Sequence, residues 1–184
     1  MGIKAIETRF KGYRFRSRLE ARYAVFFDAL NIKWEYEKEG YDLGNLGYYL
    51  PDFWLPKPKL WIEIKGSDPT QEEQDKVFEL CRMTKCSAYL CVGEPQVDNI
   101  MGAFWNGIEF DWHSLDKPIS GDWLKAAFQD DDPKKWAEIL KDEGAIFRQF
   151  GPIPFRQFYG DSDTPVLKAI SAFRSARFEN GENG

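Results

Sequence analysis

Hydrophobic and polar residues alternate most clearly in the segment from Leu60 to Lys65. In a β-strand neighbouring side chains point to opposite faces, so Glu63 and Lys65 share one face while Ile62 and Ile64 share the other. The following Gly66-Ser67-Asp68-Pro69-Thr70 run ends the strand and supplies N-cap residues for a helix. The pattern predicts a strand that carries an acid and a base side by side, followed by a helix.

A second pattern, upstream, predicts an amphipathic helix. Apolar residues recur there at spacings of three and four, which places them on one helical face: Leu19, Tyr23, Phe26, Phe27 and Leu30. Glu20 lies at the edge of this face, where a carboxylate needs a partner. Two interpretations stay open. Glu20 caps its own helix together with Ser17 in a capping box, or it leans toward Asp52 and Glu63 and adds a metal ligand.

The Pro51-Asp52 pair completes a candidate site for phosphodiester chemistry. Mg²⁺ keeps several of its waters and needs only one or two carboxylates, which Asp52 and Glu63 can supply. A lysine ammonium beside such an ion orients the attacking water or offsets charge in the transition state, and Lys65 fits this role. Taken singly, the Glu-x-Lys pair and the Pro-Asp pair each fit ordinary structure as well, because exposed Glu-x-Lys pairs and Pro-Asp turns are common.

The order of these segments along residues 10 to 93 resembles that of the PD-(D/E)xK nuclease superfamily. The Arg-Ser-Arg-Leu-Glu run also resembles small phage or mobile-element nucleases. The resemblance implies an α/β (α+β) fold with a restriction-endonuclease-like core: a helix, a three-stranded antiparallel meander, a second helix and a further strand in a mixed sheet flanked by helices. It implies that Asp52, Glu63 and the Ile64 carbonyl bind Mg²⁺ or Mn²⁺, and that Lys65 serves the catalytic water. The meander corresponds to residues 32–37, the Asp52 segment and the Glu63 segment, followed by a helix over 72–85 and a strand over 87–92.

Charge is unevenly distributed along the chain. The net charge is −5, which opposes binding to a polyanion. Residues 1–33, however, carry eight basic and three acidic residues. Their basic side chains predict phosphate contacts along a groove. Lys11 is one candidate, and the best candidates are Arg14, Arg16 and Arg18. Gln71 and Gln74 begin the helix after Lys65, where several branches of the superfamily place a glutamine against substrate or metal, although a solvated first turn explains them equally well.

The second half, residues 94–184, is predicted to form a C-terminal extension packed on the core domain of residues 1–93. A hairpin around Asn106-Gly107 extends the sheet, helices follow over 122–129 and 133–142, a last amphipathic helix spans 164–174, and the tail 179–184 is disordered.

Composition narrows the classes of protein further. At 184 residues and 43% hydrophobic content, the chain supports one main core. His113 is the only histidine, which argues against a histidine-based metallohydrolase or a serine triad, and the spacing of Cys81, Cys86 and Cys91 favours reduced, packed thiols over zinc binding. No long apolar run predicts a membrane span, so a cytoplasmic location in a bacterial or phage-infected cell is expected.

Two functional hypotheses emerge. The leading one is a Mg²⁺-dependent DNA endonuclease, with a homodimer plausible because cutting both strands often uses two copies. The competing one is a protein without catalysis, either an inactive DNA-binding fold or an acidic DNA mimic, motivated by the net charge and the acidic stretch from Glu94 to Glu143.

Overall fold

A computed structural model describes residues 5–95, 100–105, 110–113 and 165–178, without the side chains of residue 104 and residues 110–113 and 165–167. The predicted helices over 122–129 and 133–142, the Asn106-Gly107 turn and the tail 179–184 lie outside these ranges. Within them the fold is a mixed α+β arrangement of one six-stranded sheet, two small hairpins and three helices. No helix in these ranges has the length and apolar character needed to cross a membrane.

The elements follow one another along the chain, and we number them in that order. The first part comprises β1 (Thr8–Phe10), β2 (Tyr13–Phe15), α1 (Arg18–Ala29), β3 (Glu35–Tyr36), β4 (Tyr41–Asp42), a short 3₁₀ turn (Gly44–Leu46) and β5 (Tyr48–Tyr49). The second part comprises β6 (Phe53–Leu55), β7 (Leu60–Lys65), α2 (Gln71–Thr84), β8 (Ser87–Val92), β9 (Ile100–Trp105), β10 (Phe110–His113) and α3 (Pro165–Ser175).

The six-stranded sheet has the strand order β10-β9-β8-β7-β6-β3. Strands β3, β6 and β7 form the predicted antiparallel meander, and β8 returns through α2 to lie parallel to β7. Strand β9 pairs antiparallel with β8, and β10 with β9, so the predicted extension of the sheet beyond residue 93 is present. The strand predicted over 32–37 is shorter than expected, since only Glu35–Tyr36 pair with β6.

Helices cover both faces of the sheet. On one face α1 and α3 pack together, with the Tyr23 and Phe173 rings 5.4 Å apart, above a core that includes Phe27, Phe53 and Ile62. On the other face α2 buries Val77, Leu80 and Cys81 against strand residues that include Trp61 and Leu90. The two layers have separate hydrophobic clusters because alternate residues of the central strands point to opposite sides.

Helices α1 and α2 both begin at a side-chain cap. Ser17 accepts a hydrogen bond from the Glu20 amide at the start of α1, and Thr70 forms a full capping box with Glu73 at the start of α2. Helix α2 ends at Lys85, whose positive φ of 55° forms a left-handed C-cap. These caps fix where β7 leads into α2 and where α2 leads into β8.

Candidate active site

Asp52 and Glu63 meet because of the register between β6 and β7. Phe53 lies opposite Ile62, and continuing that register by one residue sets Asp52 opposite Glu63. The Ile64 amide donates to Asp52 Oδ2 at 2.7 Å, and the Asp52 amide donates to Glu63 Oε2 at 3.3 Å. Asp52 is 2% exposed and Glu63 is 7% exposed. The structure therefore brings together the two carboxylates that the sequence singled out, in a buried position.

Lys65 lies on the same face as Glu63, as the alternation of β7 predicts. Its Nζ is 3.0 Å from Glu63 Oε1 and 2.8 Å from Glu73 Oε1. Burial by itself would lower the pKa of Lys65, but the two carboxylates outweigh it and raise the pKa above its ordinary value. The ammonium group is consequently charged at neutral pH and held between two acids.

Glu73 is a site residue that the sequence reasoning missed. Burial alone would raise the pKa of Glu73, but its bonds to Lys65 and to the Thr70 amide lower it below the ordinary value. One carboxylate thus caps α2 through Thr70 and also holds Lys65. The capping-box spacing of Thr70 and Glu73 is visible in the sequence, whereas the contact with Lys65 depends on how α2 folds back over β7.

Glu20 combines elements of both interpretations offered by the sequence. Its Oε1 accepts from the Ser17 hydroxyl at 2.7 Å, and its Oε2 accepts from the Arg16 amide at 3.0 Å and the Tyr36 hydroxyl at 2.6 Å. It does not fold back to the Ser17 amide as in a full capping box. Glu20 is only 6% exposed and lies near enough to Asp52 for its charge to raise the pKa of that residue. Its oxygens already have protein donors. The structure therefore favours a role for Glu20 as an acid that acts on Asp52 over a role as a metal ligand.

Arg16 enters the site as an ion-pair partner. Its Nη2 is 2.6 Å from Asp52 Oδ1, and its Nε is 2.8 Å from Glu37 Oε1. Burial would lower the pKa of Arg16, but Asp52, Tyr36 and Glu37 raise it. Since 53% of the side chain is exposed, Arg16 reaches from the surface into the acidic cluster. The sequence predicted it as a phosphate contact, and its observed partner is a carboxylate.

A charge on Asp52 is electrostatically unfavourable in the folded state. Burial raises its pKa well above the ordinary value, and the charges of Glu63 and Glu20 raise it further, while the Ile64 amide and Arg16 act in the opposite direction. The folded state therefore holds a carboxylate whose charge is incompletely compensated. Binding a cation at this position would relieve that cost.

Tyr49 lies at the edge of the same cluster. Its hydroxyl oxygen is buried and has no partner at hydrogen-bonding geometry within the described parts of the chain. Burial, together with the nearby Glu63 and Asp52 carboxylates, raises its pKa well above the ordinary value. The neutral hydroxyl is thus a donor close to the Glu63 carboxylate.

The other predicted phosphate contacts lie on the surface of the β1–β2 hairpin and the start of α1. Lys11 pairs with Asp28 at 2.8 Å, and Arg14 pairs with Glu7. Arg18 is exposed and has no acidic partner among the residues that the structure describes. Gln71 bonds to Asp75 and Gln74 to the Pro69 carbonyl in the first turn of α2, as expected of a solvated helix start.

No significant match to this chain is found among family models, curated proteins or solved structures. The geometry of the site is therefore the observation from which a function can be inferred.

The acid pair offers carboxylate oxygens to a divalent cation. Across the described ranges, no three His, Cys, Asp or Glu side chains are placed to hold one metal ion together. Asp52 and Glu63 nevertheless suit Mg²⁺ or Mn²⁺, which bind through one or two carboxylates and retain waters. Each carboxylate oxygen of this pair has a protein donor within 3.3 Å, and a carboxylate has about four lone-pair sites, so capacity for a cation remains. A cation at this pair would replace the contacts with Arg16 and Lys65 in part.

The cysteines take no part in this site. All three thiols are free, and Cys81 and Cys91 are buried in the two core clusters. Burial raises the pKa of each of these two thiols to about 12, so both are protonated at neutral pH. This agrees with the predicted role in packing.

Proposed function

We propose that this protein is a metal-dependent DNA endonuclease that hydrolyses phosphodiester bonds. The observation that carries the proposal is the buried Asp52–Glu63 pair with Lys65 held 3.0 Å from Glu63. An acid pair buried at a cost in electrostatic energy, together with a positioned lysine, is typical of a functional site rather than of a stabilising one.

The fold supports the same proposal. A helix, an antiparallel meander, a second helix and a parallel strand occur in the order expected for a restriction-endonuclease-like core. We therefore propose membership of the PD-(D/E)xK nuclease superfamily, and resemblance within it to small phage or mobile-element nucleases.

Each residue has a distinct role in this proposal. Asp52 and Glu63 would hold Mg²⁺ or Mn²⁺, with the Ile64 carbonyl as a further oxygen. When bound, the cation would polarise the scissile phosphoryl group and lower the pKa of a water. Glu20 would add negative charge behind Asp52 and keep it oriented through Arg16 and Tyr36.

Lys65 acts as a cation and hydrogen-bond donor in this scheme, because its raised pKa keeps it protonated. Its ammonium would orient the attacking water and offset the negative charge that develops on the phosphoryl oxygens. Glu73 also pairs with Lys65 and restrains it. Preorganisation of this kind raises the rate because the charge is already in place when the reaction begins.

A matched pair of lysine variants tests the proposal. Lys65 and Lys76 are both 22% exposed at the side chain and both pair with a glutamate, but the Lys76 pair with Glu72 lies on α2 outside the acidic cluster. Purified protein is incubated with single-stranded, duplex and branched DNA in Mg²⁺ or Mn²⁺, with EDTA as the blank. We expect EDTA-sensitive cutting that Lys65→Ala reduces at least 100-fold and Lys76→Ala leaves unchanged.

Two outcomes would contradict the proposal. One is the absence of cutting on every substrate with either metal. The other is cutting that Lys65→Ala does not reduce. If a stable protein partner were recovered and no divalent ion were taken up, the alternative of a DNA mimic or an inactive DNA-binding protein would be favoured.

A further inference from the structure

A surface pocket beside the β1–β2 hairpin has the features of a binding site. Its volume is about 430 Å³, within the size range of small-ligand pockets. Its aromatic walls are Tyr13 and Trp34, whose ring centroids lie 5.0 Å apart, and Tyr13 is 40% exposed. Exposed aromatic rings in a cavity are costly in water and suit a flat apolar partner.

Polar groups at the rim of this pocket suit the polar parts of a nucleotide, namely the base edge and the phosphate. Lys33 lines the pocket, is exposed, and has no acidic partner among the described residues. Asn31 also lines it and presents an exposed side-chain amide with both a donor and an acceptor. Lys11 and two acids, Asp28 and Glu35, line the pocket as well. Asp28 pairs with Lys11, and Glu35 pairs with Lys38. Aromatic walls, an amide and an available cation are the groups that bind a base and its phosphate.

Tyr36 links the aromatic wall of the pocket to the acidic cluster through direct contacts. The ring of Tyr36 lies 6.3 Å from that of Tyr13, centroid to centroid, and its hydroxyl bonds to Glu20 at 2.6 Å. Tyr36 therefore contacts both the exposed aromatic wall and one of the acids. A strand with its phosphate at Asp52 could place a neighbouring base at Tyr13.

The charge of the adjoining hairpin also points to a polyanion. Between residues 5 and 18 there are five basic side chains and a single acid, Glu7. Arg9 and Arg14 lie directly opposite each other on β1 and β2. Glu7 offsets the charge of Arg14, whereas Arg9 is exposed and has no acidic partner among the described residues, so Arg9 can contact a backbone phosphate.

From these observations we propose that the Tyr13–Trp34 pocket binds an unpaired base of the nucleic-acid strand, so that the preferred substrate contains single-stranded nucleotides next to the bond that is cut. This inference rests on the proposed nuclease function for its link to cutting, while the binding step can be measured without it. The base stacks on Tyr13, and Lys33 contacts the phosphate.

The test measures binding by the full-length protein in EDTA and in Ca²⁺, by fluorescence anisotropy. The probes are labelled oligothymidylate, the same oligomer with abasic positions, oligouridylate and a blunt duplex. Tyr13→Leu removes the ring, Tyr13→Phe keeps it, and Tyr48→Leu is the control because Tyr48 is 70% exposed and does not line this pocket. Melting temperatures establish that each variant is folded.

We expect Tyr13→Leu to weaken binding of oligothymidylate at least fivefold, whereas Tyr13→Phe and Tyr48→Leu match the wild type. Abasic positions should weaken the wild type and have no further effect on Tyr13→Leu, and duplex affinity should not change. A merely structural role for Tyr13 would not produce this difference between normal and abasic probes. The uridylate arm shows whether the pocket also accepts RNA.

The inference is overturned if Tyr13→Leu binds oligothymidylate as the wild type does, or if the loss is equal for abasic and duplex probes. Its failure is distinguishable from failure of the proposed function. Cutting that is EDTA-sensitive but indifferent to Tyr13→Leu would remove the base site and retain the nuclease. Tyr13-dependent binding without any cutting would retain the base site and remove the nuclease.

Discussion

Replacing Asp52 by asparagine should stabilise the folded protein at neutral pH. Asparagine has nearly the same shape and keeps an oxygen that can accept from the Ile64 amide, now 2.7 Å from Asp52 Oδ2. It removes a buried negative charge that Glu63 and Glu20 repel. Residues of functional sites often cost stability in this way, so their removal raises it.

The expected magnitude follows from the contacts of Asp52. Loss of the Arg16 contact costs about 0–1 kcal/mol, because the arginine is 53% exposed and retains Glu37. A neutral acceptor weakens the Ile64 bond by about 1 kcal/mol. The pKa of Asp52 is raised in spite of both favourable contacts, so burial and the repulsion from Glu63 and Glu20 outweigh them. Stabilising substitutions commonly gain about 0.5–2 kcal/mol, so we expect a gain on the order of 1 kcal/mol, or about 2–4 °C in melting temperature.

The sign of the pH dependence provides a second measure. The pKa of Asp52 is raised on folding, so the charge penalty begins above the ordinary aspartate pKa of about 3.9 and grows until the pH passes the raised value. The advantage of Asp52→Asn should consequently be larger at pH 8 than at pH 5. Thermal and urea unfolding at both pH values measure it.

Asp42→Asn is the matched control for this experiment. Asp42 also accepts a backbone bond, from the Gly44 amide at 3.0 Å, but lies exposed on β4. We expect that variant to change stability by less than about 0.5 kcal/mol. The electrostatic reasoning is refuted if Asp52→Asn unfolds at a lower temperature than the wild type at pH 8, or if its effect does not depend on pH.

Three further predictions concern other groups. Glu73→Gln should keep the helix cap, since glutamine serves in a capping box, but it should lower the pKa of Lys65 because a carboxylate partner is lost. In a pH–rate profile, DNA cutting should then be lost at a lower alkaline pH than in the wild type, and an unchanged profile would contradict this. Phe53→Ala should cost about 3–5 kcal/mol in urea unfolding because Phe53 is 0% exposed; a cost below about 1 kcal/mol would mean that the core is packed differently. Cys81 and Cys91 should resist iodoacetamide at pH 8 until urea unfolds the protein, and mass spectrometry of the labelled native protein checks this.

The parts of the fold that the sequence predicted are those with strong local patterns. The period-two alternation of β7 and the helical spacing of α1 are properties of short segments, and both elements formed where expected. Helix α2 begins at Gln71, one residue before the predicted Glu72, because the cap is Thr70. The last helix, predicted over 164–174, spans Pro165–Ser175.

The two small hairpins were missed because their strands have only two or three residues. Strands this short have too few positions for alternation to be recognised. The β1–β2 turn did leave a signal in Lys11-Gly12, since both residues have positive φ, at 47° and 82°, as a two-residue hairpin turn requires. A search for such turns flanked by aromatic residues could have found it.

The site was predictable only as far as its acids and Lys65. Alternation places Glu63 beside Lys65, but Arg16 and Asp52 are 36 residues apart and meet only when β2 and β6 pack together. The Tyr36 contact with Glu20 likewise joins β3 to α1. Contacts of this kind depend on tertiary packing, which no local pattern encodes.

The most direct test of the proposed catalytic site is DNA cutting by Asp52→Asn under saturating Mg²⁺ or Mn²⁺. Because this variant is expected to be at least as stable as the wild type, lost activity could not be attributed to unfolding. The account predicts a cutting rate reduced about 100-fold or more on the best wild-type substrate. Cutting at the wild-type rate by a folded Asp52→Asn protein would contradict it.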